Sequence, residues 1–213
     1  MSKRFIAILL VCVLGLVGIY LATSKKDSGT GSNSGNTSKL SNHVMGDNAK
    51  KVVLVEYGDY QCPACGSYFP IVKQVVEKYK ADIQFQFRNF PLSQIHQNAR
   101  ASSRAAEAAS MQGKFWEMHD LLYEQQKSWE SSTNVVPIFE SYAMQLGLDM
   151  AKFKTDYAGT EVNDITNADY EAGVKLGVNS TPTFFLQGKK IEKNPQTLDD
   201  FNKLIEEAIK NVK

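Results

Sequence analysis

Residues 51–69 read KVVLVEYGDYQCPACGSYF, and the fold is decided by the order of residue types in this stretch. Lys51 to Tyr57 is rich in β-branched residues and almost continuously apolar, as a strand buried on both faces should be. A turn containing Gly58 and Asp59 follows, and then Cys62-Pro63-Ala64-Cys65. From Ala64 to Tyr79 the apolar residues Phe69, Val72, Val75, Val76 and Tyr79 recur at helical spacing. Pro70 lies inside that helix, removes one backbone donor and is expected to kink it. Ile83 to Phe90 (IQFQFRNF) alternates apolar and polar residues, the pattern of a half-buried strand. Residues 51–90 therefore predict strand, helix, strand, the unit from which parallel sheets are built.

Downstream the pattern becomes helical. Gln97 to Ser110 is Ala-rich, and Phe115 to Gln126 places Phe115, Met118, Leu121 and Leu122 on one face. Val136 to Gln145, Ala151 to Tyr157 and Glu161 to Leu176 are further helical patterns. Strand chemistry returns at Thr183 to Leu186 (TFFL), and Gln187-Gly188-Lys189-Lys190 forms a hairpin turn into Ile191. Leu198 to Val212 is a closing amphipathic helix with Leu198, Phe201, Leu204, Ile205, Ala208 and Ile209 inward. The expected class is α/β: βαβ, a helical block at about 94–177, then ββα, all within a domain of residues 43–213.

The 213-residue chain, with 43% hydrophobic and 10% aromatic residues, fits a single folded unit. Its net charge of +1 hides two different pieces. Residues 1–42 carry Lys3, Arg4, Lys25, Lys26 and Lys39 against Asp27 alone, whereas the remainder is slightly acidic, with no electrostatic footprint for nucleic acid. Phe5 to Ala22 is an uncharged, almost wholly apolar run of eighteen residues behind Lys3 and Arg4. As a helix it would reach about 27 Å at ~1.5 Å per residue, just short of a ~30 Å hydrocarbon core. Residues 1–24 are therefore read as a cytoplasmic tip and membrane anchor that leaves the rest of the chain outside, on the periplasmic or cell-wall face. A signal peptide cleaved after Ser24 is the alternative, and it leads to the same compartment. Residues 25–42 read as a flexible linker, because Ser28 to Ser38 contains only Ser, Gly, Thr and Asn.

Three cysteines exclude a disulfide-stapled mini-fold and a zinc site with four Cys. Cys62 and Cys65 fall where a buried strand meets a helix N-terminus, and there the backbone N–H groups stabilise a thiolate. Cys62 stands before the first turn, where it is expected to be exposed. Cys65, one turn in, is expected to be shielded and placed to close a disulfide with it. His43, His96 and His119 show no ligand spacing with the pair, so no metal is expected. A purely structural disulfide is a weaker alternative, since so small a loop constrains the unfolded chain little. Glu56, six residues before Cys62 in the buried strand, is expected to have a raised pKa and to exchange protons with the thiols; exposure at a strand edge is the alternative. Thr181-Pro182 precedes the strand TFFL, where a missing donor is harmless. Trp116, Met118 and His119 are read as core or helix-surface residues without chemistry.

With these motifs in place the chain resembles the DsbA-like thiol–disulfide oxidoreductases, a thioredoxin-fold family with an inserted helical domain. The resemblance is carried by HVMG at 43–46, VVLVEYGDYQCPAC at 52–65, FPLSQIHQNARASSRAAEAASMQGKFWEMHDLLYE at 90–124 and LGVNSTPTFFLQGK at 176–189. It implies that Cys62 is the attacking cysteine, Cys65 the resolving one, Pro182 a cis-proline and Thr181 a contact for substrate backbone. Glu56 would match the acidic residue beneath the disulfide. No cofactor is implied beyond the redox-active Cys62–Cys65 disulfide. The partners implied are exported clients with free thiols and a membrane redox partner that reoxidises the pair. Where the best-known strong oxidants have Pro-His between the cysteines, this chain has Pro63-Ala64, which implies a weaker oxidant. The alternatives are a disulfide reductase or isomerase, and a thioredoxin-fold chaperone that binds clients without turnover.

Overall fold

The computed structural model describes residues 39–212. The anchor expected at residues 5–22 and nearly all of the linker lie outside them; among the described residues no helix is long and apolar enough to cross a membrane.

The deciding stretch folds as its pattern predicts. Strand β2 (Val52–Gly58) leads through a short turn into α1 (Pro63–Tyr79), which is followed by β3 (Ile83–Asn89). Pro63 occupies the first helical turn, where its missing N–H would be unpaired in any case. The helix assignment runs without a break through Pro70. In register β2 lies parallel to β3, with Val52 opposite Ile83 and Glu56 opposite Phe87. On its other side β2 pairs antiparallel with β4 (Thr183–Leu186), which turns at Gln187-Gly188 into the two-residue β5 (Lys189–Lys190). With β1 at His43–Met45, the sheet order is β1-β3-β2-β4-β5, mixed and thioredoxin-like. β1 (His43–Met45) pairs antiparallel with β3 at Phe85–Phe87; three residues carry too little periodicity to be read as a strand without that partner.

Between β3 and β4 come α2 (Ala99–Ser110), α3 (Phe115–Glu124), the single turn α4 (Gln126–Trp129), α5 (Val136–Gln145), α6 (Met150–Ala158) and α7 (Thr160–Lys175). The helix expected from Phe115 to Gln126 thus ends at Glu124, and Gln126 opens a separate turn. The closing helix α8 (Leu198–Asn211) starts at a capping box, in which Thr197 and Asp200 each satisfy the other's backbone N–H. It buries Phe201 and Ile205, while Leu198, Ala208 and Ile209 pack more loosely on the core.

Alternation along β2 separates two apolar clusters. Val52 and Leu54 belong to the main core with Val75, Phe85, Phe87 and Phe184. Tyr57 belongs to a smaller one with Phe90, Val178 and Phe185. The latter is covered by α7, where Gly173 lies so close that an added Cβ would sit 2.7 Å from the Phe90 ring.

One boundary is corrected. Ser41 falls within the stretch read as linker, yet it is 5% exposed. Its N–H and hydroxyl both donate to Asp169, at 3.1 and 2.6 Å, and its carbonyl accepts from Arg88. Asp169, Asn89 and Glu107 are fully buried, and His43 reaches Glu107 at 2.8 Å. Buried polar groups are retained only when paired, and this network ties the chain down two residues before β1 begins.

Candidate active site

The turn between β2 and α1 is closed by hydrogen bonds at both ends. The Cys62 N–H donates to Asp59 O at 3.0 Å, and the Gly66 N–H donates to Cys62 O at 3.1 Å. Cys62 is the N-cap of α1 with an extended backbone, φ −67° and ψ 122°. Pro63 and Ala64 are exposed, while Cys65 is completely buried. Cys62 itself is only 7% exposed, less than expected for a residue before the first turn. The reason is tertiary: the Thr181–Pro182 loop lies over it. That peptide bond is cis, and the Cys62 thiol points at the Thr181 carbonyl oxygen, 3.4 Å away. The structure thus brings Cys62, Cys65, Thr181 and Pro182 together from segments more than a hundred residues apart. Both cysteines are free thiols.

The two sulfurs sit in opposite environments. The Cys62 thiolate is stabilised by the Cys65 thiol first, then by the Thr181 side chain and by the backbone N–H groups of Cys65 and Ala64. Together these outweigh burial and lower its pKa from 9.0 to about 5. The buried Thr181 hydroxyl has no hydrogen-bond partner among the described residues. Burial pushes Cys65 well above the usual thiol range, and its hydrogen bond to Cys62 adds to the effect.

Glu56 lies beneath the pair, 3% exposed. Burial, and secondarily the charge of Cys62, raise its pKa from 4.5 to about 8. It accepts or donates no side-chain hydrogen bond among the described residues, and it lines a largely apolar cleft of about 360 Å³ between α1 and α3. His119 and Asp120 stand at the cleft's other wall, with His119 Nδ1 3.1 Å from Asp120 and Lys73 bridging Asp120 at 2.7 Å. Burial holds the His119 imidazole below its ordinary pKa, against the pull of Asp120. Met118 is fully buried and Trp116 half-buried, as core residues.

Sequence reasoning missed the residues that brace the turn. Asp59 is fully buried; its carboxylate accepts from the Gln61 and Leu92 N–H groups and lies 2.7 Å from His96 Nδ1. The Gln61 side chain donates to Glu130 O at 2.6 Å and accepts from the Asn98 N–H at 2.6 Å. Asp and Gln in a turn look solvated in one dimension, and only the fold supplies their partners. Among the described residues no three His, Cys, Asp or Glu side chains converge to hold a metal ion.

The chemistry available here is thiol–disulfide exchange: an acidic thiol just under the Thr181–Pro182 loop, a second thiol beneath it and a protonated carboxyl within the core behind both. Comparison with known proteins agrees on the architecture. The model of the thioredoxin family matches residues 38–207. Curated relatives include the Na(+)/H(+) antiporter NhaA 3 of Salinispora tropica, 35% identical over 148 residues, covering 70% of this chain and 22% of that protein. The Na(+)/H(+) antiporter NhaA 1 of Mycobacterium sp. strain KMS is 36% identical over 151 residues, with 70% and 24% covered. The match therefore spans less than a quarter of those antiporters' length. Among solved structures, oxidised BdbD from Bacillus subtilis superposes with a TM-score of 0.68 at 24% identity, covering 79% of this chain and 92% of that one. A thioredoxin-like oxidoreductase from Silicibacter pomeroyi gives 0.66 at 24% identity, with 79% and 92% covered. The thiol–disulfide exchange protein alpha-DsbA2 from Wolbachia pipientis gives 0.64 at 18%, covering 77% and 85%. These share the fold.

Proposed function

We propose that this chain, which belongs to the thioredoxin family, is a membrane-tethered thiol–disulfide oxidoreductase that introduces disulfides into exported proteins. The observation that carries the reading is the asymmetry of the thiol pair: Cys62 acidic with a pKa of about 5, Cys65 buried and pushed the other way. A stable thiolate is a good leaving group, and a disulfide that releases one is oxidising. In the cycle a client thiolate attacks Sγ of Cys62 in the oxidised pair, the S–S bond breaks, and Cys65 leaves as a thiolate. Glu56, protonated at neutral pH, is the group placed to give Cys65 its proton. A second client thiolate then attacks the client sulfur of the mixed disulfide and expels the Cys62 thiolate. The client is oxidised by two electrons, the protein pair is reduced, and a membrane redox partner would return it to the disulfide.

The apolar run Phe5–Ala22 behind Lys3 and Arg4 supports the tether and the extracytoplasmic placement. Intact-mass measurement of the protein from its host tests it; a mature N-terminus at Lys25 would replace the anchor by a signal peptide. For direction, the pair is equilibrated against reduced and oxidised glutathione. The expected potential lies above thioredoxin's, about −270 mV, and the oxidised protein should oxidise a reduced, unfolded client stoichiometrically. A potential at or below that value would overturn the oxidase reading in favour of a reductase.

A further inference from the structure

The helical insertion does more than cover the sheet, because one of its side chains enters the thiol turn. Gln126, the first residue of α4, is 5% exposed. Its side-chain amide Nε2 donates to Tyr60 O at 2.7 Å and to Cys62 O at 3.0 Å. The Cys62 carbonyl therefore receives two donors, Gln126 and the Gly66 N–H of α1, which uses both of its lone pairs. The oxygen of the Gln126 amide fits against the bare Cα of Gly66: a Cβ there would lie 2.5 Å from Oε1. Gly66 sits in the first turn of a right-handed helix without positive φ, so no backbone requirement calls for glycine. The space is taken by Gln126. Two neighbouring contacts repeat the attachment, with the Gln61 side chain donating to Glu130 O and accepting from the Asn98 N–H, each at 2.6 Å.

We propose that Gln126 is a positioning residue for Cys62: its amide pins the Tyr60 and Cys62 carbonyls and thereby aims the Ala64 and Cys65 N–H groups at the Cys62 sulfur. The geometry is a rigid lever. With the carbonyl of the N-cap residue held along α1 by its two donors, the two peptide planes that follow turn their N–H ends toward Sγ, which is the arrangement a helix N-terminus uses to stabilise an anion. The Gln126 N–H dipole also points its positive end at the Cys62 peptide, which favours a thiolate in the same direction. The insertion thus sets the acidity of a thiol that it does not touch.

The proposal rests on the reading of Cys62 as the acidic thiol, and one experiment separates the two. In the full-length protein, the Cys62 thiolate is titrated by its absorbance near 240 nm in the parent, in Gln126→Met and in Gly66→Ala, with far-UV circular dichroism and thermal unfolding recorded on each. Gln126→Met keeps the length and removes the donor; Gly66→Ala keeps the donor and displaces it. The acid dissociation constant of Cys62 should fall about threefold to tenfold in both variants, tenfold being one pKa unit. The glutathione equilibrium should move toward the protein disulfide by the same factor. The double variant should lose no more than either single one, because both break one contact. A parent that does not titrate well below 9 would refute the reading of the site itself. An acidic parent with folded variants titrating unchanged would overturn the role of Gln126. Should Gln126→Met not fold, Gly66→Ala alone decides, and an unchanged titration there overturns the role equally.

Discussion

Replacing Glu56 by Gln should stabilise the reduced protein at neutral pH while impairing the exchange reaction. The carboxyl is fully buried, and its pKa stands at about 8 in the folded chain against an ordinary 4.5. A group raised in this way binds, in the folded state, a proton that the unfolded chain has already released. Its contribution is therefore fully present below pH 4.5 and drains away as the pH rises toward 8. Between 4.5 and pH 7, at about 1.4 kcal/mol per pH unit, the loss reaches roughly 3 kcal/mol. Gln has the same shape and no proton to lose. The stability difference between Glu56→Gln and the parent should thus be about 3 kcal/mol larger at pH 7 than at pH 4, whatever the constant cost of burying the amide. Urea unfolding followed by the fluorescence of Trp116 and Trp129 at several pH values measures it. Since the Cys62 charge is the second cause of the shift, the gap should narrow in the oxidised protein, where that charge is gone. A difference that is flat between pH 4 and pH 8 would refute the placement of a neutral acid beneath the thiols. In turnover the same variant should slow the step in which Cys65 is released, because no proton donor remains behind it.

Other outcomes follow from the same geometry. Cys62 should react with iodoacetamide at neutral pH much faster than Cys65, with a rate that falls as pH drops through about 5, where its thiolate is protonated; equal rates for the two cysteines would contradict their assignment. Cys65→Ser should accumulate mixed disulfides with client proteins and Cys62→Ser few or none, as read on non-reducing gels. Ala64→His should make the pair more oxidising against glutathione by adding a donor near Cys62, and an unchanged equilibrium would argue that the backbone N–H groups already saturate that sulfur. Asp169→Ala should cost about 3–5 kcal/mol in chemical denaturation, since it takes the carboxylate partner from the Arg88 guanidinium and the acceptor from the Ser41 N–H and hydroxyl.

Much of this molecule could be read in one dimension because the forces involved are local. Strand β2, helix α1 and strand β3 follow from apolar periodicity within forty residues, and the closing helix follows from its stripe of Leu198, Phe201 and Ile205. The placing of Cys62 and Cys65 at a helix start needs only their position after a buried strand, and the burial of Glu56 follows from its place in that strand. Other features exist only through partners distant in sequence. β1 is a strand because Phe85–Phe87 offers an unpaired edge, and three residues have no periodicity of their own. Ser41 looked like linker because composition is blind to Asp169, which lies 128 residues away in sequence. Cys62 is covered rather than exposed because a loop 119 residues away lies over it. Gln126 and Asp59 read as ordinary polar residues, yet their side chains are buried and hydrogen-bonded to the turn that carries the thiols. The hydrophobic pattern records which face of an element avoids water. It carries no record of which buried donor meets which carbonyl, since that pairing is settled only when the elements pack together and most polar groups shut away from water find a partner.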